Sequence, residues 1–407
     1  MYMDIKKLKK AAQIYGTPLY VYDLSIIDRQ LKKLKVAFNK INNYQIHFAA
    51  KALSNISILK YINSLGLGLD AVSIEEVKIG IKCGFKKEEI LFTPNGVNFS
   101  EIREAVSLGV KINLDSVESL KDFSNSYPNQ PVSIRINPGV YAGGNENISV
   151  GHLNSKFGIP EERLDEILEM ELDKKIKVTT LHIHTGSDII KDNDFQLGIK
   201  KIFSIAHNFD NIETIDLGGG IKIPYFEGDT ETDLDNYAKI IKDELKKFKS
   251  KKGKDLKLIF EPGKFLVSDS GYFITKVNYV KKSSRNTFIQ VDSGFNHFVR
   301  PTLYNSFHDI INLSNPNDEK FEYSVVGYIC EKDTFAEKRI ISKISSGDIL
   351  CFKNSGAYGF TMTSNYNSRL KPSEVCIYKN KLTEIRKREE FDDLLNRQID
   401  IFKDWHF

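Results

Sequence analysis

"YQIHFAAK" (residues 44–51) is a short apolar run ending in a lysine, and "SNISILKYINSL" (54–65) continues it with apolar residues at helical spacing. The pair reads as a buried strand, a polar turn and a helix capped by Ser54. Lys51 is the feature to explain, because no acid stands beside it in the sequence. A lysine is costly to bury unless it is paired or its pKa drops. A dry, partly neutral lysine is also what amine chemistry uses.

The same unit recurs along the chain. "GLGLDAVS" (66–73), "EILFTPNG" (89–96), "VKINLDS" (110–116), "PVSIRINP" (131–138), "VTTLHIHTGS" (178–187), "TIDLGGG" (214–220) and "LKLIFEPG" (256–263) are further apolar runs ending in polar or glycine-rich turns. Helix-like stretches separate them, such as "SIEEVKIGIKCG" (73–84) with Ser73 as cap. Eight alternating units with near-continuous apolar strands predict an α/β fold, a TIM-type (β/α)8 barrel over residues 26–270. Chemistry in such barrels sits at the carboxyl ends of the strands. Those ends read Lys51, Asp70, Asn95, Asp115, Arg135 with Asn137, His184 with Ser187, Gly218–Gly220, and Glu261.

Beyond residue 270 short apolar or alternating pieces predict a second, mostly β domain over 271–407. "TPLYVYDLS" (17–25) has the same strand character, so the N-terminal region 1–25 is expected to join that domain. The final "FKDWHF" (402–407) reads as an apolar-aromatic tail that docks somewhere. The 407 residues carry a net charge of +4, with lysines scattered among acids. That balance argues against nucleic acid or a membrane surface as partner. No signal-type segment and no 18-residue apolar run is present, which predicts a cytoplasmic protein. The four cysteines form no CxxC and no zinc spacing, so neither a disulfide nor a metal is expected.

Several strings carry chemistry on their own terms, each beside a blander reading. Gly218–Gly220 after strand seven are either a tight turn or a nest of N–H groups for a phosphate. His182 and His184 share parity and point inward; a metal pair lacks an evident third ligand, and a ring-stacking or orienting role competes with plain core hydrogen bonding. Glu261 could be a base, a metal ligand, the partner of a protonated heterocycle or half of a salt bridge. "YICEKD" (328–333) sets Cys330 beside Glu331, where a cysteine is either small core or a proton donor. "SGAYGFTMTSNYNSR" (355–369) is a polar pocket or a surface loop, and Arg300 is a candidate carboxylate clamp.

Together these strings resemble the fold-type III pyridoxal 5'-phosphate (PLP) enzymes, the alanine racemase/ornithine decarboxylase group. Within that group they resemble most the diaminopimelate decarboxylase branch, through "ICEKD" and "GAYGFTMTSNYNSR". The resemblance implies that Lys51 carries PLP as an imine, its apolar setting favouring the neutral amine. It implies that His184 stacks on the ring and Glu261 pairs with the pyridinium nitrogen. Ser187, Gly218, Gly219 and Gly220 would cradle the phosphate, closed by Tyr358, with Asp70 and Arg135 near the ring. Arg300, Tyr304, Glu331, Tyr358 and Lys264 match substrate-gripping positions, and Cys330 the residue assisting reprotonation. The implied reaction converts meso-2,6-diaminopimelate to L-lysine and carbon dioxide, the last step of lysine biosynthesis. The implied assembly is a homodimer whose sites take "ICEKD" from the partner. Two positions depart from the pattern. Lys264 stands where the family has arginine, one ammonium in place of a five-donor fork. "KDTFAE" replaces the commoner serine-glycine-aspartate after Cys330–Glu331. Decarboxylation of ornithine, arginine or a carboxylated polyamine is the alternative within the class. A PLP carrier without turnover and a metal-dependent barrel enzyme are the alternatives outside it.

Overall fold

The computed structural model describes residues 3–140, 151, 155–187 and 192–401, so the tail 402–407 lies outside the described residues. The chain divides into two compact units. One comprises residues 26–269 with 356–361; the other comprises 1–25, 270–355 and 362–407.

Strand β1 (Leu19–Asp23) belongs to the second unit and precedes the barrel in the chain. The barrel strands follow: β2 (Tyr44–Ala49), β3 (Gly68–Ala71), β4 (Ile90–Phe92), β5 (Lys111–Leu114), β6 (Pro131–Ile136), β7 (Lys177–Ile183), β8 (Thr214–Asp216) and β9 (Lys257–Phe260). All eight neighbour contacts are parallel, and β9 pairs back onto β2, which closes the barrel. This is the predicted TIM-type architecture. Each strand begins and ends within one of the eight quoted runs or a residue of it.

Helix starts follow side-chain chemistry. Ser73 caps the helix Ile74–Lys82 by accepting the Glu76 N–H at 3.2 Å, as predicted. The helix after β2 corrects the sequence reading: it runs Ile56–Ser64 and is capped by Asn55, not Ser54. Asn55 accepts the Ser57 N–H at 2.9 Å, and an asparagine serves there as well as a serine.

Outward positions of the strands pack on the helices. The Phe260 ring stacks on Phe38 at 4.4 Å between centroids, and Tyr44 meets Phe38 edge-on at 5.8 Å. Inward positions are far more polar. His47 is fully buried, and neither ring nitrogen has a hydrogen-bond partner among the described residues. A Cβ at its neighbour Gly68 would stand 2.5 Å from the imidazole, so the glycine makes the room.

Burial holds the His47 pKa down to about 3, against an ordinary value of 6.5. The folded protein therefore binds fewer protons than the unfolded chain between pH 6.5 and 3. The stability this represents is present above pH 6.5 and is lost as pH falls toward 3, on the order of 5 kcal/mol at most. His47→Leu is expected to flatten the acid limb of the urea midpoint between pH 7 and 4. Superimposable limbs for the two proteins would show that His47 does not drive acid unfolding.

The second unit is a nine-stranded sheet. Its further strands are β10 (Gly271–Lys282), β11 (Thr287–Val291), β12 (Ile310–Asn312), β13 (Lys320–Val326), β14 (Thr334–Ser342), β15 (Ile349–Phe352), β16 (Ser373–Tyr378) and β17 (Lys381–Arg386). β1 lies between β10, antiparallel to it, and β16, parallel to it. The segment 356–361 groups with the barrel rather than with the strands on either side of it. Its Tyr358 N–H donates to the Ala52 carbonyl at 2.8 Å. No helix among the described residues is long and apolar enough to cross a membrane.

Candidate active site

Side-chain parity sends every second residue of a barrel strand inward. Asn113 of β5, Ser133 of β6 and His182 of β7 meet there, with Thr93 just after β4 and Glu261 just after β9. Ser133 Oγ donates to Asn113 Oδ1 at 2.9 Å, and Asn113 Nδ2 lies 2.7 Å from His182 Nδ1. His182 Nε2 then faces Glu261 Oε2 at 3.4 Å. The two ends of the imidazole agree on its tautomer. An amide N–H at Nδ1 and a carboxylate at Nε2 both put the proton on Nε2.

Asp216 stands on the other side of Glu261. Burial, and then the Glu261 carboxylate, push its pKa well up. Burial alone would raise Glu261 too, but His182 and Lys51 outweigh it and hold Glu261 below the usual carboxylate range. The two carboxyl groups titrate as a pair in which the negative charge favours Glu261 and the proton favours Asp216. Asp216 Oδ2 and Glu261 Oε1 are buried with no other hydrogen-bond partner among the described residues, and the two carboxyl groups bond each other. Ligand atoms of His182, Asp216 and Glu261 all lie within 4.8 Å of one another. The sequence offered His182 no third partner; the seventh and eighth strands supply both, and only barrel closure reveals it.

Lys51 lies in the single 3-10 turn Ala50–Ala52 that ends β2. Its Nζ is 3.4 Å from Asp70 Oδ2, and its side chain keeps 41% of its surface exposed while Asp70 keeps 2%. This corrects the expected apolar setting. Burial works to lower the lysine pKa, but Asp70, Tyr358 and Glu261 outweigh it, and the amine is held charged, above its ordinary value. The missing acid comes from the next strand: Asp70 pairs across the ladder with Ala49, two residues before Lys51. Tyr358 sits close by on a left-handed backbone at φ 55°.

The glycine run after β8 is first of all a forced turn. Gly218 has φ 63°, and a Cβ there would stand 2.6 Å from the Ile183 carbonyl oxygen. A Cβ on Gly219 would stand 2.7 Å from the Glu261 carbonyl oxygen. Two of its N–H groups are already engaged. Gly218 donates to Asp216 Oδ1 at 2.9 Å, and Gly219 donates to His184 Nδ1 at 3.3 Å. His184 is half-buried; burial first, then Arg135 and Lys51, hold it neutral. Gly220 (φ 97°) follows, and Ser187 ends the described part of the loop after β7. Arg135 is buried with its guanidinium 4.7 Å above the Phe157 ring. Asn95 and Asp115 pair with each other at 2.6 Å. Lys264 is buried at the start of the short helix Lys264–Val267. Lys222, another buried lysine, is bound to Asp229 at 2.7 Å and pins the loop after the glycines.

The second unit assembles the remaining motifs. "ICEKD" and "SNYNSR" meet there: Asn367 Nδ2 donates to Cys330 Sγ at 3.3 Å, and the Tyr366 hydroxyl bonds the Glu331 carboxylate. Cys330 is exposed, while Cys83, Cys351 and Cys376 are buried. Arg300 is buried, 5.7 Å from the Tyr304 ring centroid. Asp216, Asn113, Tyr366 and Asn367 do not stand out individually in the linear sequence. For the first two, inward parity at a strand end was the available signal.

The family profile described as "Pyridoxal-dependent decarboxylase, pyridoxal binding domain" matches residues 24–268. The diaminopimelate decarboxylase of Methanothermobacter thermautotrophicus is 38% identical over 400 residues, covering 95% of this chain and 92% of that one. The chain belongs to the diaminopimelate decarboxylase family. The Campylobacter jejuni member is 35% identical, with 96% and 97% of the two chains covered. The crystal structure of the Helicobacter pylori diaminopimelate decarboxylase complexed with L-lysine matches with a TM-score of 0.87 at 34% identity, covering 96% of this chain and 98% of that one. As a member of the diaminopimelate decarboxylase family the protein is a PLP-dependent carboxy-lyase.

Proposed function

We propose that the protein removes one carboxylate from meso-2,6-diaminopimelate to give L-lysine and carbon dioxide, the last step of lysine biosynthesis, in the cytoplasm and as a homodimer. The observation that carries the reading is Glu261, held ionised between His182 and Asp216 at one strand end, with a charged Lys51 paired to Asp70 at another. A buried carboxylate held ionised favours a proton on a ring nitrogen, and a lysine amine can anchor an aldehyde, so the residues present fit PLP. Lys51, Asp70, Arg135, His184, Ser187, Gly218, Gly219, Gly220, Glu261 and Tyr358 are the residues proposed to hold it.

Bound there, PLP supplies an electron sink for the pair left behind when carbon dioxide departs. The chain supplies the rest. Lys51 Nζ provides the amine that anchors the cofactor, and Asp70 Oδ2 is the nearest acceptor for the proton that amine must shed. Ionised Glu261, held from two sides by His182 and Asp216, favours positive charge at the ring nitrogen. Neutral His184, its Nδ1 fixed by the Gly219 N–H, offers a flat face without competing charge. Cys330 Sγ, in the partner's loop, delivers the proton to the carbon that lost its carboxylate. Arg300 and Glu331 complement the distal carboxylate and ammonium, with Tyr304, Lys264 and Tyr358 completing the grip.

The test offers the holoenzyme meso-diaminopimelate, ornithine, arginine and carboxynorspermidine separately and records carbon dioxide and product. Lysine from diaminopimelate is expected, with about a 10⁴-fold preference over ornithine, whose missing distal carboxylate leaves buried groups unpaired. Faster release from any of the other three would overturn the substrate assignment.

A further inference from the structure

We propose that Asp333 is a positioning residue whose carboxylate, bridging the turn after β11 and the loop after β13, fixes the Cys330–Glu331 tip in one conformation. The proposal rests on the reading of Cys330 and Glu331 given above. Asp333 Oδ1 accepts the Phe295 N–H at 2.8 Å, and Oδ2 accepts the Ile329 N–H, also at 2.8 Å. Its own carbonyl accepts the Gly327 N–H at 2.9 Å. The loop is thereby closed from both ends around the side chain, with Ile329 immediately before Cys330.

The surrounding sequence makes room for that carboxylate. A Cβ at Gly327 would stand 2.1 Å from Asp333 Oδ2, and a Cβ at Gly294 2.6 Å from the same atom. Neither glycine is needed for a left-handed turn, so space is the reason for both. Asp333 is buried, at 6% exposure. Burial raises its pKa to about 6 against the pull of the two N–H groups. At neutral pH the group is thus a carboxylate, able to accept on both oxygens at once. A single lysine, Lys332, separates the tip from its anchor.

The consequence is specific to chemistry at the tip. Cys330 and Glu331 are exposed side chains whose hydrogen bonds among the described residues run to Asn367 and Tyr366. Their backbone is what Asp333 holds. In Asp333→Asn one amide N–H must face a backbone N–H, and one of the two bonds is lost.

The experiment attaches a trifluoromethyl tag to Cys330, the one exposed cysteine of the four, and records fluorine spectra of full-length holoenzyme. One narrow line is expected for the wild type, and a broadened or split line for Asp333→Asn. Unlabelled Asp333→Asn is expected to lose about 10-fold or more in kcat, with the cofactor band and its affinity unchanged, as a 1.4 kcal/mol misplacement of the proton donor would give. Amide exchange on the unmodified protein gives a test that needs no variant. The Phe295 and Ile329 amides should exchange at least about 100-fold more slowly than those of Glu331 and Lys332. Equal exchange rates, or an unchanged fluorine line in the variant, overturn the anchor. An ordered-to-disordered line with unchanged kcat overturns its role in positioning. Failure of the chain to act on diaminopimelate would leave both spectroscopic readouts standing and is thus told apart.

Discussion

Lys51→Ala is expected to reduce carbon dioxide release by about three to four orders of magnitude, some 4–5 kcal/mol of barrier at 1.36 kcal/mol per decade. The loss should fall on kcat and persist at saturating substrate, because the amine acts on cofactor and substrate exchange rather than on substrate grip. The position dictates the size of the effect. Lys51 ends β2 within 3.4 Å of a nearly inaccessible Asp70, whereas the buried Lys222 is spent on Asp229. A companion variant separates charge from presence. Asp70→Asn removes the leading influence that holds the Lys51 amine above its ordinary pKa. Stopped-flow capture of PLP by the cofactor-free protein should then reach its maximal rate at lower pH in Asp70→Asn than in the wild type. Turnover within tenfold of wild type in Lys51→Ala would remove the lysine from the chemistry.

Glu261→Gln is the second large effect, expected at about 10²–10³ in kcat, the scale of losing one preorganised electrostatic contact. A glutamine keeps the shape but carries no charge, so nothing favours a proton on the ring nitrogen. Asp216 would then lose the neighbouring carboxylate that helps push its pKa up, and its own pKa should fall. That shift compensates only in part, because Asp216 Oδ1 is already engaged by the Gly218 N–H. His182→Gln should cost less, about tenfold, since it weakens the hold on Glu261 without removing the charge. The readouts are kcat and the pH dependence of the cofactor's visible band. An unchanged band and unchanged kcat in Glu261→Gln would sever the carboxylate from the cofactor.

The barrel was legible because each unit repeats one local grammar, and an eightfold repeat is hard to satisfy otherwise. Lys51, His184, the glycine run and Glu261 stood out as candidates because polar residues ended apolar strands. What stayed hidden depends on closure. Asp70 lies 19 residues from Lys51, and only strand pairing brings it within 3.4 Å, turning an expected neutral amine into a charged one. Asp216 and His182 flank Glu261 through parity and curvature that no linear spacing displays. The glycine run shows how one string serves two readings. Crowding by the Ile183 and Glu261 carbonyls already requires glycine at 218 and 219, so the string alone does not demand a phosphate. The Ser54 cap was missed by one residue because serine and asparagine stood side by side, each competent.

The most direct test of the account is to reduce the PLP-loaded protein with borohydride, digest it, and locate the phosphopyridoxyl group by peptide mass mapping. One modified residue is expected, Lys51, in the peptide spanning "FAAK". Modification at Lys264, Lys222 or another lysine, with Lys51 untouched, would contradict it.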